Sequence, residues 1–306
     1  MKISRRNFVK SVLASGLILQ APAVLALASE TKILRWDGVA LGADSSIQIA
    51  YNNKNLAEKI LRSCLAEIKR LEAMFSLYEN DSVISLLNDK GFYDNPPQDF
   101  VNLIRISKYY GEKTYGNFDI TIQPLWEYFS ENSQAKDAPA KIRELVDYRN
   151  IIVENNRIYF AKPHMKISLN GIAQGYITDR ITSILRKNAV KSALVDLGEK
   201  FALGKHPNGE KWRIGIQADS SEFKIVELED MAISTSSMQG GLFAEGLEKR
   251  HIFMPKQKFQ SKPQTVTILA DNSTKADALS TAIAAAPQNM HSKIMTNFAN
   301  AELIIS

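Results

Sequence analysis

Apolar residues recur at helical spacing through Leu56, Ile60, Leu61, Leu65, Ile68, Leu71 and Phe75, which predicts an amphipathic helix over 55–74. The cations at Lys59, Arg62, Lys69 and Arg70 flank it and read as its solvated side, while Cys64 reads as a core residue. The same pattern, with its caps and breaks, predicts helices over 98–114, 140–146, 173–187, 274–286 and 289–297. Strands are predicted over 32–37, 46–51, 150–153, 157–160, 193–197, 212–217, 224–229, 231–235, 265–270 and 302–305. Two of these face each other across Glu154, Asn155 and Asn156, which predicts a hairpin and hence antiparallel pairing. Helices and strands do not alternate regularly and no internal repeat is evident. The expected class is therefore α+β, not a doubly wound parallel sheet.

The N-terminal pattern is of another kind. Ser4, Arg5, Arg6, Asn7, Phe8, Val9 and Lys10 precede an apolar stretch that closes on Ala26, Leu27 and Ala28. This predicts a twin-arginine export signal over 1–28, cleaved after Ala28, with the twin-arginine translocase as a partner and the periplasm as destination. Ser11, Ser15, Gly16, Gln20 and Pro22 interrupt the stretch and make it a poor membrane anchor, so a soluble mature protein is expected. The net charge of +5 includes Lys2, Arg5, Arg6 and Lys10 with no acid before residue 29, so about +1 remains on the mature chain. That balance gives no ground for a nucleic-acid partner. A single cysteine cannot form an internal disulfide, which suits an oxidising compartment without stapling. Residues 29–306 are long and apolar enough for one large domain or two closely joined ones, with the polar stretch 131–140 as the one candidate break.

Candidate chemistry concentrates near the C-terminus. The apolar run from Val266 to Ala270 reads as a buried strand, Asn272, Ser273 and Thr274 as a turn and N-cap, and Asp277 and Thr281 as two oxygens one helical turn apart. A carboxylate and a hydroxyl so placed suit a hard cation such as Mg2+, which favours oxygen donors. Thr274 and Asp277 also fit a capping box, in which the acid only complements the helix dipole. Ser168, Leu169, Asn170, Gly171, Ile172, Ala173, Gln174, Gly175 and Tyr176 form a glycine-bearing turn leading into a helix with Asp179 and Arg180. Such a turn can offer backbone groups to an anion or simply start the helix. It matches neither the dinucleotide-binding nor the P-loop glycine pattern.

Taken in order, these segments resemble the ApbE family, the FAD:protein FMN transferases. The resemblance runs from Leu41-Gly42 through Phe75-Ser76-Leu77-Tyr78 with Ser82, Ser85 and Asn88, and through 116–125, close to a G-x-F-D-[IV]-T-V-x-P-L pattern. It continues through the turn at 168–176, Ile233-Ser234-Thr235-Ser236, His251-Ile252 and Ala276-Asp277-Ala278-Leu279-Ser280-Thr281. The resemblance implies an ApbE-like, T-fold-like arrangement of largely antiparallel sheets and packed helices, with FAD in a cleft between subdomains. It also implies Mg2+-dependent transfer of FMN from FAD to a threonine or serine hydroxyl of a target protein, releasing AMP. Asp277 and Thr281 match the family's side-chain metal ligands, and Gly171 the position whose main-chain carbonyl completes the set. Leu41, Tyr78, Phe118, Asp119, Ser168, Gln174 and Ile252 match FAD-contacting positions. His251 matches the histidine near the reacting phosphate, and Asp277 counts with it as catalytic. The implied target is a membrane electron-transfer subunit with a periplasmic domain.

Each assignment has a plainer counterpart: Tyr78 and Phe118 as core aromatics, Asp119 as the cap of a turn, His251 as a surface histidine. The chain also departs from the family pattern. Ser168, Asn170 and Gln174 stand where aspartate, glycine and lysine are common, and the segment His251 to Lys258 lacks the pattern's acid, threonine and glycine. A flavin reservoir, an FAD hydrolase or an assembly or scaffold protein of the same fold is the alternative expectation.

Overall fold

Alternating burial in Lys32–Ala40 (β1) and Ala43–Tyr51 (β2) makes a hairpin whose two-residue turn is Leu41 and Gly42, at φ 48° and 75°. Both turn residues are left-handed, the conformation that matches the right-handed twist of paired strands. Leucine is an unusual occupant, and its N–H is held by Glu72 Oε1 at 2.5 Å. This computed structural model describes residues 31–132, 135, 137–217, 223–237, 252, 255 and 265–305. The leader expected at 1–28 and the candidate base His251 lie outside them.

Helices Lys54–Phe75 (α1) and Val83–Lys90 (α2) follow, then Phe92–Asp94 (β3), Gln98–Lys113 (α3), Gln123–Glu131 (α4) and Ala140–Arg143 (α5). Ile151–Glu154 (β4) and Arg157–Phe160 (β5) form the expected hairpin, extended by β3 into a three-stranded sheet. Ala173–Lys187 (α6), Ala193–Asp196 (β6), Lys200–Leu203 (β7), Trp212–Gln217 (β8), Phe223–Leu228 (β9) and Met231–Ser237 (β10) come next. Thr265–Ala270 (β11), Ser273–Ala285 (α7), His291–Met295 (α8) and Ala301–Ile305 (β12) complete the described elements. A seven-stranded sheet runs β1-β2-β6-β7-β10-β11-β12, and every described pairing is antiparallel, as the α+β reading expects.

Burial alternates along the central strands and assigns the sheet two faces. Val195, Phe201, Ala232 and Ile268 join the large core beneath α1, α3, α6 and α7. Leu194, Ala202, Ile233 and Leu269 point the other way, onto Trp212, Ile214 and Leu228 of the β8–β9 hairpin. The middle of the sheet is therefore covered on both sides. Cys64 is fully buried on α1, and burial pushes its thiol up to about 12, which fits core packing. The stretch 131–140 connects α4 to α5 within a single unit, Thr31–Ser306, and does not separate domains. Among the described residues no helix is long and apolar enough to cross a membrane.

The helix carrying Asp277 is central to this core. Asn272 caps α7, its side chain accepting from the Lys275 N–H at 2.8 Å, and alanines and leucine bury nearly the whole helix. Small side chains let α6 and β10 approach its backbone closely.

Candidate active site

Two helix starts meet end to side and exchange carboxylates. Asp277 on α7 accepts the Gly175 N–H of the first turn of α6 at 2.9 Å. In return Asp179 on α6 accepts the Ser273 and Thr274 N–H groups at the start of α7, at 2.7 and 2.8 Å, and the Thr274 hydroxyl at 2.5 Å. Each acid thus satisfies donors that a helix start leaves unpaired, on its neighbour and not on its own helix. The capping-box reading of Thr274 and Asp277 is overturned: Asn272 is the cap, and Thr274 turns to Asp179. Nothing in local sequence points to Asp179, because its partners lie more than ninety residues away.

This exchange prepares the turn before α6. The Gly175 N–H, in the first turn of α6, has no carbonyl within its own helix to bond, and Asp277 accepts it. Among the described residues the Gly171 carbonyl, just before this helix, accepts no hydrogen bond. Gly171 also lies against the next turn of α7: a Cβ placed on it would fall 2.9 Å from Thr281 Oγ1. At Gly175 a Cβ would come within 2.4 Å of the Ser273 carbonyl and 2.7 Å of the Asp277 Cβ. Glycine is needed at both positions for this close approach.

Gly171 lies against Thr281, and Gly175, one turn further along, is bonded to Asp277, so a free carbonyl, a hydroxyl and a carboxylate belong to the same pair of packed turns. Asp277 is 3% exposed, and its Oδ1 accepts no hydrogen bond among the described residues. Burial pushes its carboxyl up to about 7, against the pull of the Gly175 N–H and with a smaller push from Asp179. A buried acid with a vacant oxygen, beside an unpaired carbonyl and a hydroxyl, is an all-oxygen donor set that fits a hard divalent cation. Among the described residues no group of three or more His, Cys, Asp or Glu side chains could hold a metal, so the neutral oxygens are needed.

The nucleotide-contacting candidates divide by exposure. Tyr78 is 82% exposed, on a turn tied by Ser82 and Ser85 hydroxyls donating to the Ser76 carbonyl at 2.6 and 3.4 Å. It is not a core aromatic but an open ring on a braced loop, suited to stacking. Phe118 is 3% exposed and packs edge-on against Tyr110, so its plainer reading as a core aromatic describes its side chain. Asp119 caps the turn before α4, accepting from the Thr121 N–H and hydroxyl at 2.9 and 2.6 Å and from the Tyr148 N–H at 3.0 Å. Burial pushes it up to about 6, opposed by those donors. Its carboxylate is engaged within the fold.

Ser168 is buried and donates its N–H to the Ile120 carbonyl at 2.8 Å, which joins the 116–125 segment to the glycine turn. Asn88 braces the same stretch, donating to the Ile167 carbonyl at 2.9 Å and accepting its N–H at 2.7 Å. Gln174 lies against Gly198, whose missing Cβ would fall 2.4 Å from the Gln174 amide nitrogen. Leu41 occupies the strained hairpin turn, and Ile252 is half-buried against the large core. No hydrogen bond links Leu41, Tyr78 or Ile252 to the Asp277 cluster among the described residues. A cleft of about 840 Å³ opens beside the Tyr78 turn, bordered by Leu77, Ser85, Asn88 and Lys166, and another of about 460 Å³ lies by Tyr110 and Asp179. Neither is lined by Gly171, Asp277 or Thr281.

Comparison with known proteins identifies the fold and the family. Curated relatives named FAD:protein FMN transferase include one from Haemophilus influenzae, 26% identical over 298 residues, covering 89% of this chain and 86% of its own. Another, from Klebsiella pneumoniae, is 24% identical over 271 residues, covering 81% and 77%. Among solved structures, the apo flavinyl transferase ApbE of Pseudomonas stutzeri superposes with a TM-score of 0.75 at 23% identity, over 90% of this chain and 94% of its own. The flavin transferase ApbE of Vibrio cholerae does so with 0.73 at 20% identity, over 90% and 97%. These likenesses establish the fold, and the ApbE family profile matches residues 41–305, nearly the whole described chain. The chain belongs to the ApbE family.

Proposed function

We propose that this protein is an exported FAD:protein FMN transferase that joins FMN from FAD to a threonine or serine hydroxyl of a periplasm-facing target. The observation that carries this reading is the Gly171, Asp277 and Thr281 oxygen set, at the place where α6 and α7 exchange carboxylates. Family membership and the names of the curated relatives support the reaction, and the twin-arginine pattern over 1–28 supports the compartment.

In this reaction the acceptor oxygen bonds to the phosphorus of the FMN half, the bond between that phosphorus and the bridging oxygen breaks, and AMP leaves carrying the bridging oxygen. Mg2+, held by Asp277, Thr281 and the Gly171 carbonyl, would neutralise pyrophosphate charge and stabilise the leaving phosphate. The chain's own groups do the rest. The ring of Tyr78 offers a stacking face to the flavin, and its braced turn holds that face in place. Ser168 and Gln174, on the turn entering α6, are the polar groups beside the phosphates. His251 is the group assigned to receive the acceptor hydroxyl's proton, since it matches the family position near the reacting phosphate. An electron-transfer subunit anchored in the membrane is the target class proposed.

A second reading is kept by one observation: the segment from His251 to Lys258 lacks the acid, threonine and glycine of the family pattern. A chain with intact cation oxygens and an altered base segment would bind FAD, or hydrolyse it, without modifying a protein. The two readings separate when the mature chain is incubated with FAD, Mg2+ and candidate acceptor domains. AMP release that depends on the acceptor's hydroxyl supports transfer. AMP release indifferent to the acceptor marks a hydrolase, and FAD bound without AMP release marks a reservoir.

A further inference from the structure

The turn between β6 and β7 places an unassigned buried acid on the face of the sheet that α7 covers. Gly198, at φ 92°, reverses the chain, and the Leu197 N–H closes the turn on the Glu199 carbonyl at 3.0 Å. Antiparallel register pairs Ile233 with Lys200, which carries Glu199 to a place opposite Ser234. The alternation of burial then sets Glu199 on the face of Phe201, Ala232 and Ser234, the face that α7 covers. On that face Ser234 and Ser236 each reach Ser280 at 2.8 Å, and Ser236 lies 3.5 Å from Thr281 Oγ1. Glu199 is thus at one end of a row of hydroxyls that ends at the cation oxygens. Gln174, stacked on Gly198, closes the turn from the side of the glycine loop.

Glu199 is only 7% exposed, and its Oε2 has no hydrogen-bond partner among the described residues. Burial raises its carboxyl well above the ordinary value, and the negative charge of Asp277 raises it further. The Ser234 hydroxyl and Lys200 act against this. Such a group is rare, because a buried carboxylate oxygen without a donor carries its full desolvation cost. Two buried acids that repel each other, each with an oxygen left without a donor, are both relieved by a divalent cation.

We propose that Glu199 supplies a second carboxylate to the Asp277 cation site, so that the chain holds a divalent cation before nucleotide arrives. The proposal rests on the cation reading of Gly171, Asp277 and Thr281 and adds to it a side chain outside that set. Its consequence is an affinity governed by the number of charged ligands.

Mn2+ binding by the mature protein without FAD, followed by the loss of the free-ion electron paramagnetic resonance signal, tests it. Wild type is expected to bind one ion at concentrations below about 1 mM. Glu199→Gln is expected to weaken binding by about tenfold or more while circular dichroism remains native. Glu199→Asp, which keeps the charge, is expected to retain more affinity than the glutamine variant and guards against a folding artefact. Asp277→Asn separates the two levels of inference. If it abolishes binding while Glu199→Gln leaves affinity unchanged, the role of Glu199 is overturned and the cation site stands. If neither variant changes affinity, or wild type binds no ion, both are overturned.

Discussion

At the scale of single residues, the candidate site depends on which atoms are left without partners. Asp277 spends one oxygen on the Gly175 N–H and keeps the other vacant, and the Gly171 carbonyl accepts no hydrogen bond among the described residues. Asp277→Ala is expected to weaken Mg2+ and FAD binding together, as measured by flavin fluorescence titration with and without the metal. Unchanged affinity in either case would contradict the coupling. Gly175→Ala places a Cβ against backbone at 2.4 Å, and overpacking of this kind costs roughly 1–3 kcal/mol. Its melting temperature should fall, and its Mg2+ affinity with it. Asp119 tests electrostatics away from the cation. Its folded-state value, about 6, lies above the ordinary 3.8, so the folded chain binds a proton that the unfolded chain has released between these values. Its contribution to stability is therefore full below pH 3.8 and is lost as pH rises through about 6. Asp119→Asn removes that dependence. The melting temperature of wild type minus that of the variant should decline across this interval and level off above it. A difference constant with pH would refute the assignment. Tyr78 and Phe118 show what a motif leaves open at this scale: both are aromatics in family segments, yet one is open and one is core. That distinction depends on packing against Tyr110, a contact the local pattern does not contain.

Among the elements, long periodic segments and most short strands were legible, while α2, β3, α4 and β7 were not. The apolar period over 55–74 and 173–187 corresponds closely to α1 and α6, because burial of one face dictates both the pattern and the helix. Val83–Lys90 has eight residues, too few to stand out by periodicity, and is held by the Ser82 cap and by packing on its neighbours. Gln123–Glu131 begins at a proline-containing turn that reads locally as a break. Lys200–Leu203 is four residues behind a glycine turn, and its pairing with β10 is what makes it a strand. The Leu41-Gly42 hairpin lacks the usual Asn-Gly or Asp-Gly signal, which left β1 predicted three residues short. The clamp between α6 and α7 was equally hidden, since Asp179 looks like any polar helix residue until α7 docks. Asp179→Ala unpairs two buried N–H groups and a hydroxyl, each costing roughly 1–3 kcal/mol when left unsatisfied. Thermal unfolding should shift down by several degrees, and Asp179→Asn, which keeps an acceptor, should lose less. Equal stability of all three proteins would show that the clamp does not hold the helices.

At the scale of the whole molecule, a sheet covered on both faces fixes the helix that carries Asp277 and Thr281, and the turn before α6 is docked onto it. The class, the antiparallel pairing and the placement of Gly171, Asp277 and Thr281 were all within reach of the sequence, because family order and helical spacing encode them. The supporting roles of Asp179 and Glu199 were not, and Asn88 was marked by family order without its partner Ile167, since each acts through a group distant in the chain. The proposed role of these oxygens is transfer of FMN to a protein hydroxyl. Intact-mass and peptide mass spectrometry of an acceptor domain, after incubation with FAD, Mg2+ and the mature chain, tests it most directly. Wild type is expected to leave an FMN phosphoester on a threonine or serine, and Asp277→Ala none. Bound FAD with an unmodified acceptor, or equal modification by the variant, would contradict it.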